Sequence, residues 1–247
     1  MNADAAGARA AAVALAQSVH EVVERLFADL EPLRVAVEDL YVALPRPRAA
    51  DLAQLRDVIG TTLAAAPDLV VGAGHVPAGD ALADRTRWLE WWTVTSGPPP
   101  RRLLPDAGPS EEHLDYTRQP WFTVPARTGA RHVTGPYVDY FCTDDYTLTL
   151  TVPVRREGRF VGVVGSDVSV ANVERLVLPR LRALGPRAAL VNDRGRVVVS
   201  TSVREATGSI VRSPDVAASW HDDDGPVIRC GDFPLGVLRT REHFPGS

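Results

Sequence analysis

The apolar positions of this chain change rhythm as it proceeds. Over residues 8–44, Val19, Val23, Leu26, Leu30, Leu33, Val37, Leu40 and Leu44 recur at alternating spacings of four and three. That rhythm predicts one long helix with a heptad seam. Glu21, Glu24, Arg25, Asp29, Arg34 and Glu38 fall largely off the seam. Pro32 interrupts it, where a helix bends or loses one hydrogen bond. The seam packs along its own domain, joins two copies of the chain, or does both. Pro45 and Pro47 end the helix. A second helix is predicted over 49–66, with Leu52, Leu55, Val58, Ile59 and Leu63 on one face and Asp51 in the first turn.

The rhythm then shortens to two. Asp68–Val76 reads as a short apolar strand, and 87–95, with Trp88, Trp91 and Trp92, fits either strand or helix. Gly97–Pro109 is a Pro-rich loop. In Tyr146–Val154, Tyr146, Leu148, Leu150, Val152 and Val154 alternate with Thr147, Thr149 and Thr151, giving one apolar and one Thr face. Arg155–Gly158 turns the chain, Phe160 to Val164 run back, and the strand ends at Asp167. A helix over 170–184 follows, capped by Ser169 and stopped by Gly185-Pro186. Ala188–Val191 and Arg196–Ser200 flank a turn at Asn192–Gly195, and weaker strands are expected at Gly208–Arg212, Pro226–Cys230 and Leu235–Thr240. A long helix, an antiparallel sheet with helices and a smaller sheet make an α+β order, not the βαβ alternation of a nucleotide-binding fold.

Composition narrows the function classes. A net charge of −4 gives no basic field for nucleic acid or anionic lipid. No window approaches the roughly 18 consecutive apolar residues of a membrane span, so the chain reads as cytoplasmic. Cys142 and Cys230 are far apart and read as free thiols. The six His residues are dispersed, and no nucleophile elbow or phosphate loop is present. No metal, cofactor or catalytic residue is therefore expected.

Aromatic rings and carboxylates concentrate between Asp115 and Asp167, in DYTRQPWF (Asp115–Phe122), TGPYVDY (Thr134–Tyr140) and the strand pair that follows. That is the make-up of a pocket for a small polar molecule. Trp121 offers a flat face, which over a cation contributes about 0.5–2 kcal/mol, or it fills the core. The Trp88, Trp91, Trp92 cluster packs in the core by the default reading, or sends one member, Trp92, to wall the same pocket. Asp167, at the end of an apolar strand, either meets a cation, caps the next helix or faces water, because a buried lone carboxylate costs several kcal/mol. Asp139 either joins it or is solvated.

Three blocks resemble the double Cache sensor family. Asp115–Phe122 is similar to the family's RxWY pattern, Tyr137-Val138-Asp139 precedes the Tyr146–Val154 strand, and GRFVGVVGSD (Gly158–Asp167) resembles the family's glycine-rich strand ending in Asp. The segment Val191–Ser202 resembles the start of the second module. The resemblance implies a stalk or dimerisation helix over 1–48, a ligand-binding PAS-like module over 49–186 and a smaller PAS-like module over 187–247. It further implies a non-catalytic sensor for an amine or amino acid, read by a separate signalling partner, and carries the family's extracytoplasmic placement as the alternative to a cytoplasmic one. A homodimer through the Val19–Leu44 seam fits the same picture. The implied ligand contacts are Trp121, Phe122, Tyr137, Asp139 and Asp167. Gln119 stands where the family's carboxylate-binding Arg is expected, with Arg118 one residue back, and Tyr116 lies near the expected upstream aromatic, where Leu114 stands. An enzyme using the same cavity and a dimerisation protein with a vestigial pocket are the competing readings.

Overall fold

The computed structural model describes residues 2–94, 97, 99–103, 115–139, 145–211 and 214–239. The fold is α+β: a long N-terminal helix followed by two antiparallel sheets of six and four strands. The chain forms two compact units, one of residues 25–134 and 138–169, the other of 1–24, 135–137 and 170–247.

Helix α1 spans Asn2–Ala43 and contributes residues to both units. Its predicted seam is buried within the chain itself: Val19, Val23, Leu26, Leu30, Leu33, Val37 and Leu40 are all covered, and only Leu44, past the helix end, is exposed. The seam therefore packs along its own chain, the first of the readings above.

In the larger unit, a 3-10 turn (Ala49–Leu55) leads into α2 (Arg56–Ala65). The sheet contains β1 (Val70–Pro77), β2 (Glu90–Thr93), β3 (Arg101–Arg102), β4 (His132–Val138), β5 (Tyr146–Arg156) and β6 (Arg159–Ser169) in the order β3-β2-β1-β6-β5-β4. β5 and β6 form a hairpin whose two turn residues, Glu157 and Gly158, both have positive φ, at 50° and 81°. Such a turn matches the twist of the flanking strands. Helix α3 (Pro120–Thr128) lies where the sequence pattern predicted no element. The reason is local: Pro120 suits the first helical turn, and Gly129, left-handed at φ 70°, ends the helix. Tyr137 lies on strand β4 rather than in a loop.

The smaller unit orders its sheet β8-β7-β10-β9, from β7 (Ala188–Asn192), β8 (Val197–Ser200), β9 (Val227–Arg229) and β10 (Leu235–Arg239), with α4 (Val170–Leu184) and the short α5 (Val216–Ser219). The β7–β8 turn is held by the Asn192 side chain, whose oxygen accepts from the N–H groups of Arg194 and Arg196. Its core is Ala189, Val191, Val197, Val211, Val216, Trp220, Val227 and Leu238. Residues 208–211 form no strand: Ile210 makes one isolated bridge to Arg196, and Arg212 is outside the described residues. Cys230 is a buried free thiol, and Cys142 is outside the described residues.

Candidate ligand-binding site

The site is built by strand register. Asp167 on β6 pairs with Gly72 on β1 and with Thr149 on β5, so these three positions share one face of the sheet. In the next row of that face stand Gly74, Gly165 and Thr151, with Trp91 of β2 opposite Gly74. The Thr face predicted for β5 is this face: Thr147, Thr149 and Thr151 are all buried.

Asp167 is 3% exposed and accepts a hydrogen bond from the Thr149 hydroxyl at 2.6 Å. Asp139, just past β4, is also buried, and its backbone N–H donates to the carbonyl of Asp145 at 3.0 Å. Burial and then the neighbouring Asp139 charge push the Asp167 carboxyl up to about 7, against the downward pull of Thr149 and Trp91. Two carboxylates sharing a buried place repel one another, and a cation between them relieves both costs. Among the described residues no Arg, Lys or His forms an ion pair with Asp167.

Helix α3 docks on the same face through Thr151, whose hydroxyl donates to the Trp121 carbonyl at 2.8 Å. Trp121 is half-buried, with its ring 6.0 Å from Tyr116 and 6.1 Å from Phe122. Tyr116 and Phe122 serve packing. The Tyr116 hydroxyl donates to the Pro77 carbonyl at 2.9 Å, and Phe122 meets Phe160 edge-on at 5.4 Å. The structure thus brings Trp121, Asp139 and Asp167 to one unit. Tyr137 is half-buried in the short segment 135–137, which packs in the smaller unit, where the Asn192 amide donates to the Gly135 carbonyl at 2.8 Å.

The other expected contacts lie elsewhere. The Arg118 side chain is 89% exposed, with its nearest carboxylate Asp115 at 3.8 Å. Gln119 is exposed, and its carbonyl accepts from the N–H groups of Phe122 and Thr123 as α3 begins. The chain coils here, through a 3-10 turn over Tyr116–Arg118 and the start of α3. Trp92 is corrected outright. It pairs with Ala73 and Arg102, one position out of step with the Asp167 row, so it faces the opposite side of the sheet. There its indole N–H donates to Glu90 at 3.1 Å, and the Arg56 guanidinium lies 5.2 Å from its ring. Glu90 is fully buried and also accepts from the Trp88 indole at 3.3 Å and from Arg102 at 2.7 Å. On this back face a cavity of about 360 Å³ is lined by Arg56, Gly60, Thr61, Trp92 and Pro99, among others. The residue of the cluster that faces the site is Trp91. Register alone reveals it, and a single sequence does not state register.

Among the described residues no group of three or more His, Cys, Asp or Glu is placed to hold a metal, and no helix is long and apolar enough to cross a membrane.

Residues 106–175 match the family model described as methyl-accepting chemotaxis protein-like, first PDC sensor domain. The match contains Trp121, Tyr137, Asp139 and Asp167. Among solved structures, the chain is similar to Methyl-accepting Chemotaxis protein X, at 18% identity over 95% of this chain and 97% of that one, with a TM-score of 0.65. It is similar to the ligand-binding domain of Mlp24 with asparagine, at 14% identity, 96% and 92% coverage and a TM-score of 0.59. It is also similar to the ligand-binding domain of the Pseudomonas fluorescens chemoreceptor CtaA in complex with L-valine, at 15% identity, 98% coverage of both chains and a TM-score of 0.58. The chain therefore has the double-Cache, or PDC-type, sensor-domain fold, and residues 106–175 carry the first-PDC pattern of the methyl-accepting chemotaxis protein-like family.

Proposed function

We propose that this chain is a non-catalytic sensor domain whose six-stranded unit binds a small metabolite through its ammonium group. The observation that carries the reading is the buried carboxylate pair, Asp139 and Asp167, on the Thr-lined sheet face where Trp121 docks. Asp167 and Asp139 take the ammonium, and the Trp121 ring flanks it. The amino acids named with the Mlp24 and CtaA domains support a ligand of this size and charge. A free amino acid also carries a carboxylate. Arg118 and Gln119, both turned to solvent, offer it no clamp, so the reading favours amines over amino acids.

A thermal-shift panel of amines, amino acids and simple carboxylates at pH 8 tests it. A ligand that favours the native state raises the melting temperature, by about 2.7 kcal/mol of stability at a hundredfold excess over Kd. Amines are expected to give the shift, with Asp167→Ala and Trp121→Ala abolishing it. If both variants respond like the wild type, the assignment of the site fails.

A further inference from the structure

We infer that Trp91 forms the floor of this site and positions Asp167, so that it is a specificity-determining residue. The inference rests on the site proposed above. Trp91 is 5% exposed and lies flat against the sheet, which is possible because three positions beneath and beside it are glycine. A Cβ at Gly72 would stand 2.7 Å from the Trp91 indole nitrogen, and one at Gly165 would stand 3.3 Å from the far edge of the ring. At Gly74, opposite Trp91, a Cβ would stand 2.8 Å from the Trp91 Cα. The indole therefore crosses β1 and reaches β6.

The ring's polar end is the informative part. The same Cβ at Gly72 would stand 3.1 Å from Asp167 Oδ2. The indole N–H and the carboxylate thus converge on one spot above Gly72. The N–H is buried and makes no full hydrogen bond to the protein, whereas a buried Trp N–H ordinarily finds a partner. Thr149 holds the other oxygen, Oδ1. The groups facing the Asp167 carboxyl are Gly72 from β1, Trp91 from β2, Thr149 from β5 and Asp139 after β4, and of these Asp139 carries the charge. Trp91 acts against Asp139: its N–H dipole favours the ionised Asp167 that an ammonium requires.

The test compares Trp91→Phe with the wild type, because Phe keeps a flat ring and removes the N–H. Carboxyl-carbon NMR titration of the ligand-free protein reads Asp167 directly, with Asp167→Asn identifying its signal. The Asp167 midpoint is expected to rise by about one unit in Trp91→Phe. The amine identified in the panel is expected to bind about fivefold more weakly at pH 7, with the loss shrinking as pH rises. Gly72→Ala, whose methyl group pushes the indole away, is expected to move the midpoint in the same direction and serves if Trp91→Phe does not fold. An unchanged midpoint in the folded variant overturns the inference, even where amines bind. Because that midpoint is read without ligand, a wild type that binds no amine sinks the functional reading separately.

Discussion

The two sheets solve the same packing problem with opposite chemistry. The four-stranded sheet closes over Ala, Val, Leu and Trp220. Every buried polar or charged residue among the described ones lies in the six-stranded unit: Thr62, His75, Glu90, Asp139, Thr147, Thr149, Thr151, Ser166 and Asp167. Polar burial costs free energy unless each group is satisfied. On the back face the two titratable groups, Glu90 and His75, find partners within the protein. Glu90 holds three donors. His75 stays neutral, its pKa pushed down to about 4 by burial, with its ring nitrogens at the Val163 carbonyl and the Tyr41 hydroxyl. On the front face Asp167 is left with a raised pKa, and the Trp91 N–H is left without a full partner. The smaller sheet closes over an apolar core, whereas the front face of the larger keeps a buried carboxylate whose cost the proposed ammonium ligand would relieve.

That contrast breaks if core damage to the smaller sheet behaves like damage to the site. Trp220→Ala, in the apolar core, is expected to cost about 3–5 kcal/mol in urea unfolding, while amine affinity of the folded fraction stays unchanged. Asp167→Asn is expected to do the reverse. It removes ligand binding and raises ligand-free stability at pH 8 by a few kcal/mol.

The sign follows from the raised pKa. Between about 4 and 7 the folded protein holds a proton on Asp167 that the unfolded chain has released. This group's contribution is therefore fully present below about 4 and lost as pH rises through 7. His75 opposes it, because its folded pKa of about 4 lies below the ordinary 6.5, so its contribution is lost as pH falls through that window. The difference between wild type and Asp167→Asn, measured by urea unfolding from pH 4 to 8, isolates the carboxyl. A flat difference contradicts the buried-carboxylate assignment.

Smaller effects sharpen the contrast. Thr149→Val removes the donor at 2.6 Å and is expected to weaken amine binding at pH 7 by about 1–2 kcal/mol, read by calorimetry. In the smaller unit, Asp215 caps α5 by accepting from the Ala218 N–H, and Asp215→Ala is expected to cost about 1 kcal/mol of stability with no change in ligand affinity. Arg118→Ala is expected to change neither quantity, because the side chain is exposed. A loss of binding there reinstates a carboxylate clamp and an amino-acid ligand.

Strong periodicity made most of the fold legible in the sequence. The heptad rhythm gave α1, the Thr alternation gave β5 with its polar face, and Gly185-Pro186 closed α4 at Leu184. The motif residues Trp121, Asp139 and Asp167 were legible because rings and carboxylates stand out in a chain with few other candidates for chemistry. Short or locally ambiguous segments were not. Residues 120–128 carry two prolines and no clear apolar rhythm, yet Pro120 at the first turn and Gly129 at the end make them a helix. That one change moves Arg118 and Gln119 to the surface. The sequence by itself determined where rings and carboxylates concentrate, between Asp115 and Asp167, because composition and periodicity are local properties. Only the tertiary structure decided which faces they share. Trp91 and Trp92 are neighbours in the chain, and a strand sends neighbours to opposite faces, so the choice between them rests on one residue of register against β1. The same register set Asp167 beside Thr149 and Gly72, and burial then raised the pKa of an otherwise ordinary carboxylate.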